Sequence, residues 1–173
     1  AAIAAGGSCR REPGQDIDTH SAKEQTHMSR STIDFGIDLG TTNSAVARVK
    51  GTVTEIVKNN RDTDITPSAV FIDKRGSLHV GQTARNRLRD SDKNVHTEFK
   101  RQMGTDFRFL FPANGRNMLP EELSADVLKS LRGDVRDRCG EDVEAIVISV
   151  PAAFELGQCA ATKKAAELAG FRQ

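Results

Sequence analysis

Asp38, Gly40, Thr41, Thr42 and Asn43 fall together in the run Gly-Ile-Asp-Leu-Gly-Thr-Thr-Asn-Ser at positions 36–44. These residue types at this spacing suit a polyphosphate accompanied by a hard divalent cation. Gly40 has no Cβ, so its backbone can approach a ligand closely and take dihedrals closed to other residues. Successive backbone N–H groups around such a turn form an anion-binding concavity, and the two Thr hydroxyls add donors. Asp38 offers the oxygen that Mg²⁺ prefers, reached through water because that ion dehydrates reluctantly. The same residues also fit an ordinary turn between two strands, with Asp38 bonding only neighbouring amides. No Gly-Lys-Ser/Thr follows and no helix opens there, so this is not a Walker loop. The glycine spacing is also wrong for a dinucleotide fingerprint.

The elements that must hold these residues can be read on either side. Ile33, Phe35, Ile37 and Leu39 alternate up to Gly40, and a second alternating run follows from Ser44 to Val49, which reads as strand, tight turn, strand. Residues 52–57 continue the sheet, and 59–62 make a turn. Short strands are expected at 69–72 and 78–80, and a short helix over 83–88. A longer helix is expected from Pro120 to about Arg138. Pro120 suits the first helical position, Glu121 and Glu122 suit the positive helix end, and Gly140 suits the stop. Leu123, Val127, Leu128, Leu131 and Val135 recur at three- and four-residue steps, a core-facing stripe. Residues 145–150 are apolar enough to predict a strand buried on both faces, ended by Pro151. A last helix is expected over 155–169, closed by Gly170. The order predicts an α/β protein with a mixed sheet and flanking helices.

Composition narrows the classes. The chain has 173 residues, a formal charge of +1 and 37% hydrophobic residues, so neither wholesale disorder nor a strongly nucleic-acid-binding surface is indicated. No apolar stretch is long enough to cross a bilayer as a helix. With no Trp or Tyr, a stacking platform for single-stranded nucleic acid is not expected. Cys9, Cys139 and Cys159 are too scattered for a disulfide framework or a metal site, which favours a reducing, cytoplasmic setting. His20, His27, His79 and His96 fit no metal pattern and are read as surface residues. Residues 1–32 lack a sustained period and are expected to be a disordered extension, with residues 33–173 forming the folded part. Met28 is read as the true start, and residues 1–27 as upstream read-through or an expression remnant.

Taken in order, five segments resemble the heat-shock protein 70 (DnaK-type) molecular chaperones at the start of their ATPase domain. Residues 36–44 resemble that family's first phosphate loop. Ile-Thr-Pro-Ser-Ala-Val at 65–70, Val-Gly-Gln-Thr-Ala-Arg-Asn at 80–86 and Phe-Lys-Arg-Gln-Met-Gly at 99–104 are similar to three further family segments. Ile-Ser-Val-Pro-Ala-Ala-Phe at 148–154, with Gln158, Ala161, Thr162 and Lys163 after it, resembles a fifth. The likeness runs from Ile33 to Gln173. It implies the actin-like (ribonuclease H-like) ATPase fold, first lobe only, with ATP or ADP and Mg²⁺ as ligands. It implies that Asp38 holds the Mg²⁺ water shell and that Gly40, Thr41, Thr42 and Asn43 surround the β- and γ-phosphates. Lys100 would contact the γ-phosphate and help orient the attacking water, acting with Thr41 in catalysis. Pro151 would be the switch proline coupling nucleotide state to the rest of a chaperone. Read without the family, Lys100 is a solvated surface lysine and Pro151 a strand terminator.

The resemblance further implies unfolded polypeptide clients, a J-domain co-chaperone, a nucleotide exchange factor and a place in the stress response, with no nucleic-acid or membrane partner. Departures accompany it. Ala153 stands where the family has Tyr, and Cys159 where it has an interdomain relay Arg, which predicts weakened allosteric coupling. The stretch from 103 to 119 is shorter than in typical members. Gln173 precedes the family's second phosphate loop, its remaining acidic site residues, the adenosine pocket and the peptide-binding domain. The segment by itself is therefore expected to turn over ATP negligibly. Competing readings are an actin-like filament former, a sugar-kinase lobe sharing the loop, and an inactive truncated remnant.

Overall fold

The computed structural model describes residues 29–30, 33–90 and 92–172. In chain order the elements are β1 (Ser29–Arg30), β2 (Phe35–Leu39), β3 (Asn43–Lys50), β4 (Val53–Ile56), β5 (Thr66–Pro67), β6 (Ala69–Ile72) and β7 (Leu78–Val80). Next come α1 (Gln82–Asn86), a 3-10 turn at Arg87–Asp90, β8 (Val95–Thr97), a 3-10 turn at Phe99–Gln102, β9 (Phe109–Phe111) and β10 (Arg116–Met118). The chain then forms α2 (Pro120–Cys139), β11 (Asp142–Val143), β12 (Val147–Ser149) and α3 (Leu156–Leu168).

The main sheet has the order β12-β2-β3-β4, with β5 also on β3. β12 runs parallel to β2, and the other pairs are antiparallel, so the sheet is mixed as expected. Alternation along β2 sends Phe35, Ile37 and Leu39 into the core and leaves Gly36 and Asp38 on the opposite face. Val46 joins the same core from β3. Leu123, Val127, Leu128, Leu131 and Val135 supply the α2 stripe, and Ala161, Ala165 and Ala169 the α3 side. Each large side chain buried there contributes roughly 1.5–3 kcal/mol relative to exposure. Helix α2 begins as its sequence suggests: Pro120 is the first helical residue, and the Glu122 carboxylate accepts the Leu119 N–H at 2.7 Å. Gly140 ends it at φ 69°, where a Cβ would be strained.

Several expectations need correction. The run 145–150 is not a strand buried on both faces. Ala145 and Ile146 are buried, but Val147 is 56% exposed and Val150 42% exposed, because β12 is an edge strand covered on one side only. Buried throughout instead are the two-residue β5 and β6, the latter the centre of a second sheet ordered β7-β6-β8. Its Val70 and Ile72 enter the main core, while Ala69 and Phe71 pack with Ala84 and Val95 in a small satellite core. The helix expected over 83–88 is split between α1 and the 3-10 turn after it. β8 and the β9–β10 hairpin were not anticipated. His79 and His96 are half-buried rather than surface residues; His96 sits edge-on to Phe111, with its Nε2 2.8 Å from the Leu110 carbonyl. Within the stretch expected to be disordered, Ser29–Arg30 pair with Asp142–Val143. Met28, Cys9, His20 and His27 lie outside the described residues.

Candidate functional site

The loop between β2 and β3 is held from beneath by a ring of hydrogen bonds. The Gly40 N–H donates to Ser44 Oγ at 3.2 Å, and Ser68 Oγ donates to the Gly40 carbonyl at 2.7 Å. The two hydroxyls lie 2.9 Å apart. Because Ser68 spends its proton on Gly40, Ser44 is the donor between them, and the ring closes with every proton placed. The Ser68 N–H also donates to the Thr42 carbonyl at 2.9 Å. Both serines are buried. Ser44 occupies an inward-facing position of β3 where an apolar residue would otherwise sit, and Ser68 follows the Thr66–Pro67 strand that pairs with Asn43 and Ser44.

Gly40 is required by space rather than by dihedral. A Cβ built there would lie 2.0 Å from the Asn43 carbonyl oxygen, and Gly40 is not among the residues with positive φ. Its N–H is committed to Ser44. Thr41 is half-exposed and Thr42 exposed. The Asn43 side chain is oriented by Arg85 on α1, whose Nη1 donates to Asn43 Oδ1 at 3.1 Å.

Asp38 lies on the open face of β2, exposed, between Ala45 on β3 and Ser149 on β12. The Ser149 hydroxyl donates to Asp38 Oδ1 at 2.8 Å. Lys100 is not a solvated lysine. It is 5% exposed, its ammonium donates to the Leu39 carbonyl, and it stands 5.3 Å from the centroid of the Phe154 ring. Burial pushes its pKa down, and the nearby Asp38 charge opposes that shift. The chain reaches this position through Glu98, a non-glycine residue at φ 56°, which turns β8 into the 3-10 turn carrying Phe99 and Lys100. Such a conformation costs on the order of 1 kcal/mol and is met here beside the site.

The fold therefore brings Asp38, residues 40–43 and Lys100 to one end of the sheet, although Lys100 is 61 positions from the carbonyl it touches. Pro151 follows β12 and is exposed; its carbonyl accepts the Phe154 N–H at 3.0 Å, in the turn that carries the Phe154 ring to Lys100. Cys159 is elsewhere. It lines a groove of about 260 Å³ between β12 and α3, with Ile146, Ile148, Val150 and Lys163. Sequence reading placed Ser44 in the loop without its tie to Gly40 and gave no site role to Ser68, Ser149 or Phe154. The usable signal was a hydroxyl residue inside each of three apolar runs.

The donor set suits a hydrated Mg²⁺ and a polyphosphate. Asp38 Oδ2 takes no hydrogen bond from a described residue, Thr41 is half-exposed and Thr42 exposed on a pinned loop, and a cation is fixed against the carbonyl that precedes Gly40. Among the described residues no group of three or more His, Cys, Asp and Glu is placed to hold a metal ion by itself.

Comparison with known proteins bears on the same region. The family described as Hsp70 protein matches residues 34–112 and 109–173. Chaperone protein DnaK from two strains of Halobacterium salinarum is 40% identical to this chain over 137 residues. That match covers 79% of this chain and 22% of the relative, so the chain spans about a fifth of the length of the curated relatives it matches. By a family match over most of its residues, the chain belongs to the heat-shock protein 70 family.

Proposed function

We propose that residues 33–172 form the first lobe of an actin-like ATPase domain and supply the phosphate-binding wall of an ATP-hydrolysing chaperone. The observation that carries this reading is the meeting of exposed Asp38 and buried Lys100 at the pinned 40–43 loop. Asp38 holds the water shell of a Mg²⁺, which supplies charge neutralisation to the phosphates. Gly40, Thr41, Thr42 and Asn43 surround the β- and γ-phosphates. Lys100 contacts the γ-phosphate and, with Thr41, orients the attacking water. Catalysis on this reading is charge stabilisation and positioning, the usual demands of phosphoryl transfer.

Nucleotide state reaches a peptide-binding domain through Pro151, with Phe154 between that turn and Lys100. Unfolded polypeptide is the client, a J-domain protein and a nucleotide exchange factor are the partners, and the setting is cytoplasmic. Cys159 cannot offer the directed donors of the relay Arg, so coupling is weaker here. Replacing Cys159 by Arg in a longer protein carrying this segment is expected to raise peptide-stimulated ATP turnover; no change refutes the coupling role.

Isothermal titration tests the phosphate wall itself. Residues 33–172 taken by themselves are expected to bind Mg-ATP with a Kd on the order of millimolar, Mg-ADP more weakly and adenosine not at all. Lys100→Ala is expected to remove the ATP signal. Adenosine binding equal to that of ATP, or micromolar ATP affinity, contradicts the reading.

A further inference from the structure

Asp38 has few neighbours able to fix its carboxylate. On its own strand and face the adjacent residue is Gly36, and its partner across β3 is Ala45. Neither carries a polar side chain. Lys100 attracts its charge, but the ammonium donates to the Leu39 carbonyl and is turned against Phe154. Ser149 remains. It is the last residue of β12, lies directly opposite Asp38 in the parallel register, and its hydroxyl is 2.8 Å from Asp38 Oδ1. A hydrogen bond from a hydroxyl to an ionised carboxylate is stronger than one between neutral groups and holds the acceptor in one orientation. A hydrogen bond to Oδ1 leaves Oδ2 of this exposed carboxylate without a hydrogen bond from a described residue.

We infer that Ser149 is a positioning residue for the metal-facing carboxylate: its Oγ–H fixes the Asp38 rotamer so that Oδ2 faces the hydrated divalent cation of a nucleotide triphosphate. This rests on the phosphate-wall reading, and it places part of the metal site on β12, a strand 111 positions away in sequence. Ser149 is exposed, so removing its hydroxyl leaves no buried orphan and the fold is retained. Threonine keeps the hydroxyl and suits a strand.

The test uses the whole chain as wild type, Ser149→Ala and Ser149→Thr, in two measurements. In the first, without ligand, NMR three-bond couplings report the χ1 populations of Asp38. One rotamer is expected in wild type and Ser149→Thr, and averaging in Ser149→Ala. An equally fixed Asp38 in Ser149→Ala overturns the inference whatever binds the loop. In the second, Mn²⁺ with ATP is titrated and paramagnetic broadening of the Asp38 and Thr41 amides is followed. Ser149→Ala is expected to need about fivefold more Mn-ATP for half-maximal broadening, with Ser149→Thr close to wild type. Equal titration of all three proteins also overturns the inference. Broadening in wild type that avoids the loop refutes the phosphate-wall reading instead, while the rotamer measurement still decides the role of Ser149.

Discussion

The β2–β3 loop and the β12 edge are parts of one sheet, yet they are held very differently. At the loop, the Gly40 carbonyl and N–H, the Thr42 carbonyl and the Leu39 carbonyl all have partners, supplied by Ser44, Ser68 and Lys100. At the edge, Val147 and Val150 are exposed, and Leu156 at the start of α3 is 91% exposed. A segment with several backbone groups tied in this way tolerates little change, because each lost tie leaves a polar group without its partner. A segment with open apolar side chains has little to lose. The difference teaches that the candidate site is preorganised at the loop by many hydrogen bonds from this chain's own residues, whereas β12 is held by its pairing with β2, the Ser149–Asp38 hydrogen bond and the packing of Ile148 on the core.

The largest effect is expected from Gly40→Ala. The added methyl meets backbone, not a flexible side chain, so the loop must open or β3 must shift. Destabilisation of about 3 kcal/mol or more is expected in urea unfolding. A loss below 1 kcal/mol shows that the loop is not rigid and removes the contrast with β12.

The second tie lies further back. The Asn59 side chain donates to the Ile65 carbonyl and to Thr66 Oγ1, just before Ser68, and the neighbouring Asn60 N–H donates to Asp134 on α2 at 3.1 Å. Asp134 is buried, and burial raises its pKa from 3.8 to about 6, with the Asn60 N–H opposing the shift. The folded state thus binds more protons than the unfolded state between those values, so this residue's contribution to stability is lost as pH rises through about 6. Asp134→Asn keeps an acceptor for Asn60 without the charge. It is expected to be more stable than wild type above pH 6, by on the order of 2 kcal/mol, with the difference vanishing below about pH 4. Urea melts across this range check the sign; a variant less stable than wild type at pH 7 contradicts it.

Ser68→Ala is expected to cost about 1.5 kcal/mol, because it leaves the Gly40 carbonyl and the Ser44 hydroxyl proton without partners. Amide exchange at Gly40 should quicken in this variant while exchange in α2 is changed only by the global loss. Val147→Thr sits at the other extreme. Its side chain already faces solvent on an edge strand, so a change within about 0.5 kcal/mol is expected. A loss of 2 kcal/mol there means the β12 edge is packed and the contrast is wrong.

Much of this was legible along the chain. Alternation around Gly40 located the β2–β3 hairpin, and Pro120 and Gly140 bounded α2 almost to the residue, because caps and periods are local signals. Burial of a strand is not local. Residues 69–72 and 145–150 are both short apolar runs, and what separates them is whether a neighbour lies on each side of the sheet. The aromatic segment around Phe109 carried no clean period, so β8 and the β9–β10 hairpin escaped notice. At the site, Asp38 and the loop declared their chemistry by type and spacing. Lys100 did so only by family likeness, since its burial depends on contacts with Leu39 and Phe154. Ser149 and Ser68 declared nothing, because their partners lie 111 and 28 positions away.

Amide chemical shifts of the ¹⁵N-labelled chain, followed as Mg-ATP is added to millimolar concentration, test the phosphate wall most directly. Movement concentrated at Asp38, Gly40, Thr41, Thr42, Asn43 and Lys100, and absent when adenosine replaces ATP, is the expected result. Movement that leaves residues 38–43 untouched and gathers instead in the groove of Ile146, Cys159 and Ala166 would contradict it.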